Sequence, residues 1–138
     1  MQTFLPYADF RASAECLDNK RLGKQRVEVL QIYKALTVKE YGWKHHPIVK
    51  MWKDYEGALL CYGMIMCNEW RSRGFKDSLL EPFQFELAKQ LHVILPYWLG
   101  NKQLHSSHRS NLLRKDPLFY GKYNWREGAN LPYVWIKR

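Results

Sequence analysis

Apolar residues recur three and four positions apart through most of this chain, the spacing of one buried face of an α-helix, and strand-like alternation is weak throughout. Leu22, Val29, Tyr33 and Leu36 line one flank of a helix, while Arg21, Lys24 and Glu28 share another at about 100° per residue. With Ser13 as its N-cap, this helix is predicted to run to about Leu36 or Val38. Gly23 interrupts it at a cost of about 1 kcal/mol relative to alanine, and leaves room there for a close approach. His46-Pro47 opens a second helix with proline at its first position. Its stripe is Ile48, Trp52, Tyr55, Leu59, Tyr62 and Met66, and Gly74 closes it behind Arg71 and Arg73, which suit the negative end of the helix dipole. The length and purity of that pattern mark the central core helix, its Met and aromatic residues serving as packing. Pro82 starts a shorter helix to about Leu91, and Ser106 or Ser107 can cap a further one, HRSNLLRKD, that stops before Pro117. Beyond it, aromatics at 119, 120, 123, 125, 133 and 135 stand among glycines, prolines and cations. The expected fold is all-α: one compact helical domain over residues 1–138, with an irregular aromatic-rich C-terminal segment.

Composition narrows the partners. A chain of 138 residues with 46% hydrophobic content can bury a core without staples. Its net charge of +9 and pI near 9.5 point to a polyanion, with nucleic acid ahead of an acidic protein or an anionic membrane surface. The positive charge returns at Lys20–Arg26, Arg71–Lys76, His105–Lys115, Lys122–Arg126 and Lys137 with Arg138, which favours a folded basic surface over a basic tail. Three cysteines, 16, 61 and 67, have no metal or redox spacing and read as reduced thiols in a cytoplasmic protein. No apolar run is long enough to span a membrane, and no signal-peptide core is present. The five histidines lack ligand spacing and no glycine loop for a nucleotide follows a strand, so neither metal nor cofactor is expected.

The segment LDNKRLGKQRVEVLQI, Leu17–Ile32, gathers Lys20, Arg21, Lys24 and Arg26 around one acid, Glu28. Four cations on a helix suit a phosphate backbone, against which a carboxylate has an electrostatic cost. The plain alternative is a solvated face with an intrahelical Lys24–Glu28 pair.

Three segments carry a family resemblance. MWKDYEGALLCYGMIMCNEWRSRGF, Met51–Phe75, resembles the central helix of the phage-type (endonuclease V type) pyrimidine-dimer DNA glycosylases. RLGKQRVEVLQIYKAL, Arg21–Leu36, resembles their first helix, which carries a catalytic glutamate in a basic setting. HRSNLLRKDPLFYGKY, His108–Tyr123, is similar to their C-terminal arginine-bearing helix with its proline and tyrosine-rich loop. Together these cover about half the chain in the right order.

The resemblance implies a small α-helical enzyme that cuts the glycosidic bond of a damaged pyrimidine and opens the abasic site by β-elimination. The family's nucleophile is its N-terminal α-amine, which here falls on Met1, and its glutamate falls on Glu28. An α-amine has a pKa of about 7.7–8.0 against about 10.4 for lysine, so more of it is nucleophilic at neutral pH. The sequence departs from the phage pattern at Arg21 (a histidine there), Val27 and Gln2 (arginines there), and in extra residues around Tyr7–Ala12. These changes fall around the family's lesion pocket, so the resemblance carries the reaction class further than it carries the dimer as substrate. Arg21, Lys24, Arg26 and Arg109 are the expected phosphate contacts, with His105 and His108 beside them, and Tyr120, Tyr123 and Trp125 are available either to buttress an unstacked base or to anchor the tail. The expectation is a monomer acting on DNA in the cytoplasm. A glycosylase for another noncanonical base and a non-catalytic nucleic-acid-binding domain are the alternatives; Glu28 argues against the second, because a pure phosphate binder gains nothing from it.

Overall fold

The helical periodicity is realised, but each of the two long predicted helices is cut once. The computed structural model describes residues 1–137, so Arg138 of the basic positions above lies outside it. Among the described residues there are seven α-helices, α1 (Phe10–Cys16), α2 (Asn19–Thr37), α3 (Pro47–Trp52), α4 (Glu56–Ser72), α5 (Leu80–Leu87), α6 (Lys102–Lys115) and α7 (Pro117–Tyr120), then a 3₁₀ turn at Gly121–Tyr123 and no strand. The all-α expectation holds.

The first helix breaks at Leu17 and Asp18 because a distant cation takes its last carbonyls. Arg73, from the end of α4, donates to Leu17 O at 2.7 Å, Ala14 O at 3.2 Å and Glu15 O at 3.3 Å. Asp18 then starts α2, its N–H and carboxylate both engaged by the buried Tyr120 hydroxyl. Proline at the start of α3 behaves as expected, with the His46 side chain accepting from Ile48 N. That helix stops at Trp52, where the Trp98 indole N–H takes the Met51 carbonyl and Asp54 adopts φ +71°. In α5 the start moves to Leu80, whose N–H is held by the Asp77 carboxylate, and the helix ends at Leu87 rather than Leu91. Asn101, not Ser106 or Ser107, caps α6; Ser107 instead donates to Leu104 O and receives Val134 N.

The core forms where α2 lies on α4, with α1 and α5 also against α4. Gly63 permits the contact: a Cβ there would stand 2.7 Å from Val29 and 2.9 Å from the Phe83 ring. Gly23 is occupied in the same way, its open face filled by the Trp70 ring. The C-terminal segment is irregular, as expected, and it is pinned inward. Tyr120 and Tyr123 each stack on Trp125, Tyr123 donates to Cys16 O, and the Trp125 indole donates to the Tyr7 hydroxyl. All three rings thus anchor the tail over the α1–α2 break. Residues 2–6 thread, buried, among α2, α4 and α6, which brings the amino terminus to the N-terminal half of α2.

Candidate active site

A cavity of about 330 Å³ opens between the amino terminus, the first three turns of α2 and the end of α6. Met1, Gln2 and Glu28 line it, together with Lys20, Arg21, Lys24 and Lys115. Periodicity places Arg21, Lys24, Gln25 and Glu28 on one side of α2, three or four apart, and the buried entry of residues 2–6 sets the terminus against them.

Glu28 is an inward carboxylate. Its side chain is 8% exposed, Oε1 lies 3.8 Å from Lys24 Nζ, and Oε2 has no hydrogen-bond partner. Burial raises its pKa above the ordinary value of 4.5, while the Met1 ammonium, Lys24 and the Gln2 main-chain N–H oppose that rise without cancelling it. A carboxylate so placed can take a proton from a neighbouring amine and can stabilise a cation in the cavity. Lys115 feels the same crowding from the other side. Burial, and then Arg21, Lys24, Arg114 and Lys20, lower its pKa, so these cations form one cluster drawn from α2 and α6.

The expected phosphate contacts divide into two sets. Lys24 is 71% exposed, and Arg21, reaching Asp18 at 3.3 Å, also faces the cavity. Arg26 turns away from it: the guanidinium pairs at 2.8 Å with Asp77, whose side chain is fully buried, and lies over the Trp70 ring. Arg109 forks onto Glu127 and donates to Pro6 O at 2.7 Å. Neither arginine is a free surface cation.

The two histidines are interior. Leu5 N–H donates to His108 Nδ1 at 2.8 Å, which puts the His108 proton on Nε2. Gly100 N–H donates to His105 Nε2 at 2.9 Å, so His105 Nδ1 carries the proton and donates to Leu5 O at 2.7 Å. Burial pushes His108 down to about 3 and lowers His105 as well, which keeps both neutral. Their spacing of three on α6 therefore serves to clasp Leu5, and both rings, expected beside the phosphate contacts, turn to the main chain of the amino-terminal segment.

Sequence reasoning passed over several residues of this site. Lys20 and Lys115 were visible as charge, but nothing in the pattern told them apart from Arg26 and Arg109. Gln25 and Tyr133 carry no charge signal at all; Tyr133 reaches the cavity wall from the C-terminal segment, its ring 6.3 Å from Phe4. His46 carries only the sequence signal of a residue before a helix-starting proline. Its Nδ1 accepts from Ile48 N at 3.0 Å, and burial with the nearby Met1 ammonium lowers its pKa. Among the described residues no three His, Cys, Asp or Glu side chains are gathered so as to hold a metal ion, and no helix is long and apolar enough to cross a membrane.

Comparison with known proteins bears on what this cavity does. No curated protein and no solved structure matches the chain. Residues 1–80, more than half of it, match a family profile described as pyrimidine dimer DNA glycosylase. That span holds the amino terminus, Glu28 and all of α1 to α4, and by it the chain belongs to the pyrimidine dimer DNA glycosylase family.

Proposed function

We propose that this protein excises a damaged or modified pyrimidine from DNA and then cuts the abasic site as a lyase, with the Met1 α-amine as nucleophile and Glu28 as its proton-handling partner. The observation that supports this most is the meeting of the amine and a buried, half-satisfied carboxylate in one cation-lined cavity. The amine lone pair forms a bond to the sugar C1′ as the glycosidic bond breaks and the base leaves with its electron pair. The sugar ring then opens to an imine. Loss of a proton from C2′ expels the 3′ phosphate oxygen, which is the β-elimination. In this reading Glu28 accepts the amine proton at the first step and moves protons at the sugar at the last.

The surrounding cations fit a substrate held by its backbone. Arg21 and Lys24, joined by Lys20 and Lys115, are the phosphate contacts in this reading. Such contacts give affinity and register with no sequence preference, which suits an enzyme that searches DNA for rare bases. Arg26, Arg109, His105 and His108 contribute by holding the fold and the amino-terminal segment. A binding module without chemistry is the weaker reading, because an unpaired carboxylate oxygen buried among cations repels the ligand such a module would bind.

Covalent trapping tests the assignment. Incubation with abasic-site DNA and borohydride is expected to reduce the imine to a stable cross-link, which mass spectrometry of the digested adduct locates on the Met1 nitrogen. A cross-link on an internal lysine would keep the lyase and move the nucleophile. No cross-link, with tight binding intact, would leave a glycosylase without imine chemistry or a binding module.

A further inference from the structure

The main chain from Gln2 to Pro6 has no strand beside it, yet side chains meet its polar groups one after another. Gln25 makes the first grip: Nε2 donates to Gln2 O at 3.1 Å, and Oε1 accepts from Phe4 N at 2.8 Å. One amide side chain thereby does for residues 2–4 what a neighbouring strand would do. The Tyr62 hydroxyl, from α4, stands 2.8 Å from Phe4 O and 2.7 Å from Gln25 Oε1, and its proton is shared between those acceptors. Gln25 is 1% exposed and Tyr62 is fully buried, so water does not compete for these bonds.

Gln25 precedes Glu28 by three residues on the same face of α2, about 4.5 Å along the axis at 1.5 Å per residue. A single rigid helix thus carries both the carboxylate and the group that fixes the chain one residue from the amine. Chain termini fray unless tied down, and nucleophilic attack demands that the reacting atoms stay close to one geometry. We infer that Gln25, held in place by Tyr62, is a positioning residue that sets the Met1 amine against Glu28. This rests on the reading of the Met1 amine as nucleophile. Gln25 acts through the main chain of Gln2 and Phe4, and Tyr62 acts through Gln25 and Phe4.

The test uses Gln25→Met, which removes both bonds at similar volume, and Tyr62→Phe, which removes one hydroxyl and keeps the ring. Ile32→Val, a buried trim on the same helix, controls for a small loss of packing. Each protein is mixed in excess with abasic-site duplex and borohydride, and the maximal rate of cross-linking is read beside the dissociation constant for the same DNA. The maximal rate is expected to fall about 10- to 100-fold in Gln25→Met and by less in Tyr62→Phe, with affinity unchanged, while Ile32→Val reacts like wild type. If Gln25→Met does not fold, Tyr62→Phe decides alone. Unchanged rates in the variants would overturn the inference, and so would a loss of affinity equal to the loss of rate. A wild-type protein that forms no Met1 adduct would overturn the nucleophile assignment and this inference with it. A wild-type Met1 adduct with unchanged variants overturns this inference alone.

Discussion

Glu28→Gln is expected to abolish base excision while DNA binding stays the same or tightens. The substitution keeps shape and volume and removes one proton acceptor from the cavity. A positioned acid–base group contributes about 10²- to 10⁴-fold to rate, and a glutamine cannot take a proton from the Met1 ammonium, so the loss belongs in the upper part of that range. Affinity should move the other way because Lys20, Arg21, Lys24 and Lys115 then face the phosphates without an opposing charge. Single-turnover excision on lesion-bearing duplex, paired with a binding isotherm, reads both. Excision at the wild-type rate would remove Glu28 from the chemistry.

The same variant has a signature in stability. Burial raises the Glu28 pKa above its ordinary 4.5, so in the folded protein the carboxyl holds its proton more tightly than in the unfolded chain. Between those two values the native state binds more protons than the unfolded state, and the wild type loses stability as pH rises through the window. Glutamine does not titrate. Glu28→Gln is therefore expected to melt above wild type at neutral pH, with the difference closing as pH falls to the ordinary glutamate value. In catalysis the sign is opposite. The rate should climb with pH as Glu28 ionises, on an acidic limb that lies above 4.5.

How far such a site can be read from sequence depends on which features are local. Helix existence is local: Leu22 and Val29 on one stripe and Leu59, Tyr62 and Met66 on the other are buried where spacing put them, while Tyr33, Leu36 and Tyr55 are half-buried. The Lys24–Glu28 pair is also local, one helical turn apart, and Glu28 drew notice as the one acid in a basic run. The helix breaks are not local. Arg73 ends α1 from 56 positions downstream of Leu17, and Trp98 takes the Met51 carbonyl of α3 from 47 positions downstream. The fate of each cation is equally remote, because a basic residue on a helix has the same sequence signature whether it faces phosphate or a buried carboxylate. Gln25 went unnoticed for a related reason: its value lies in two bonds to residues 21 and 23 positions away, which no helical pattern encodes.

The remote fate of the cations yields the second large effect: Arg26→Met should cost stability and spare the electrostatics of DNA binding, and Lys115→Met should do the reverse. Asp77 is fully buried in its side chain, and Arg26 is its closest cation at 2.8 Å, with Arg71 at 3.4 Å and turned mainly to Glu81. Burial pushes the Asp77 pKa up, but the Leu80 N–H, Arg26 and the Leu79 N–H outweigh it, so the net direction is down. Its stabilising contribution is therefore present above the ordinary aspartate value and is lost as pH falls through the lower folded one. Removing Arg26 leaves that carboxylate short of charge and strips a cation from the Trp70 ring, at a cost of about 2–4 kcal/mol. Lys115 sits instead among like charges, so its loss should leave the melting temperature level or raise it. As a phosphate contact it should lower the slope of log affinity against log salt by about 0.9. Thermal melts and salt titrations of the two variants separate the roles cleanly. If Arg26→Met flattened the salt slope with its stability intact, the arginine would be touching phosphate and Asp77 would have found another partner.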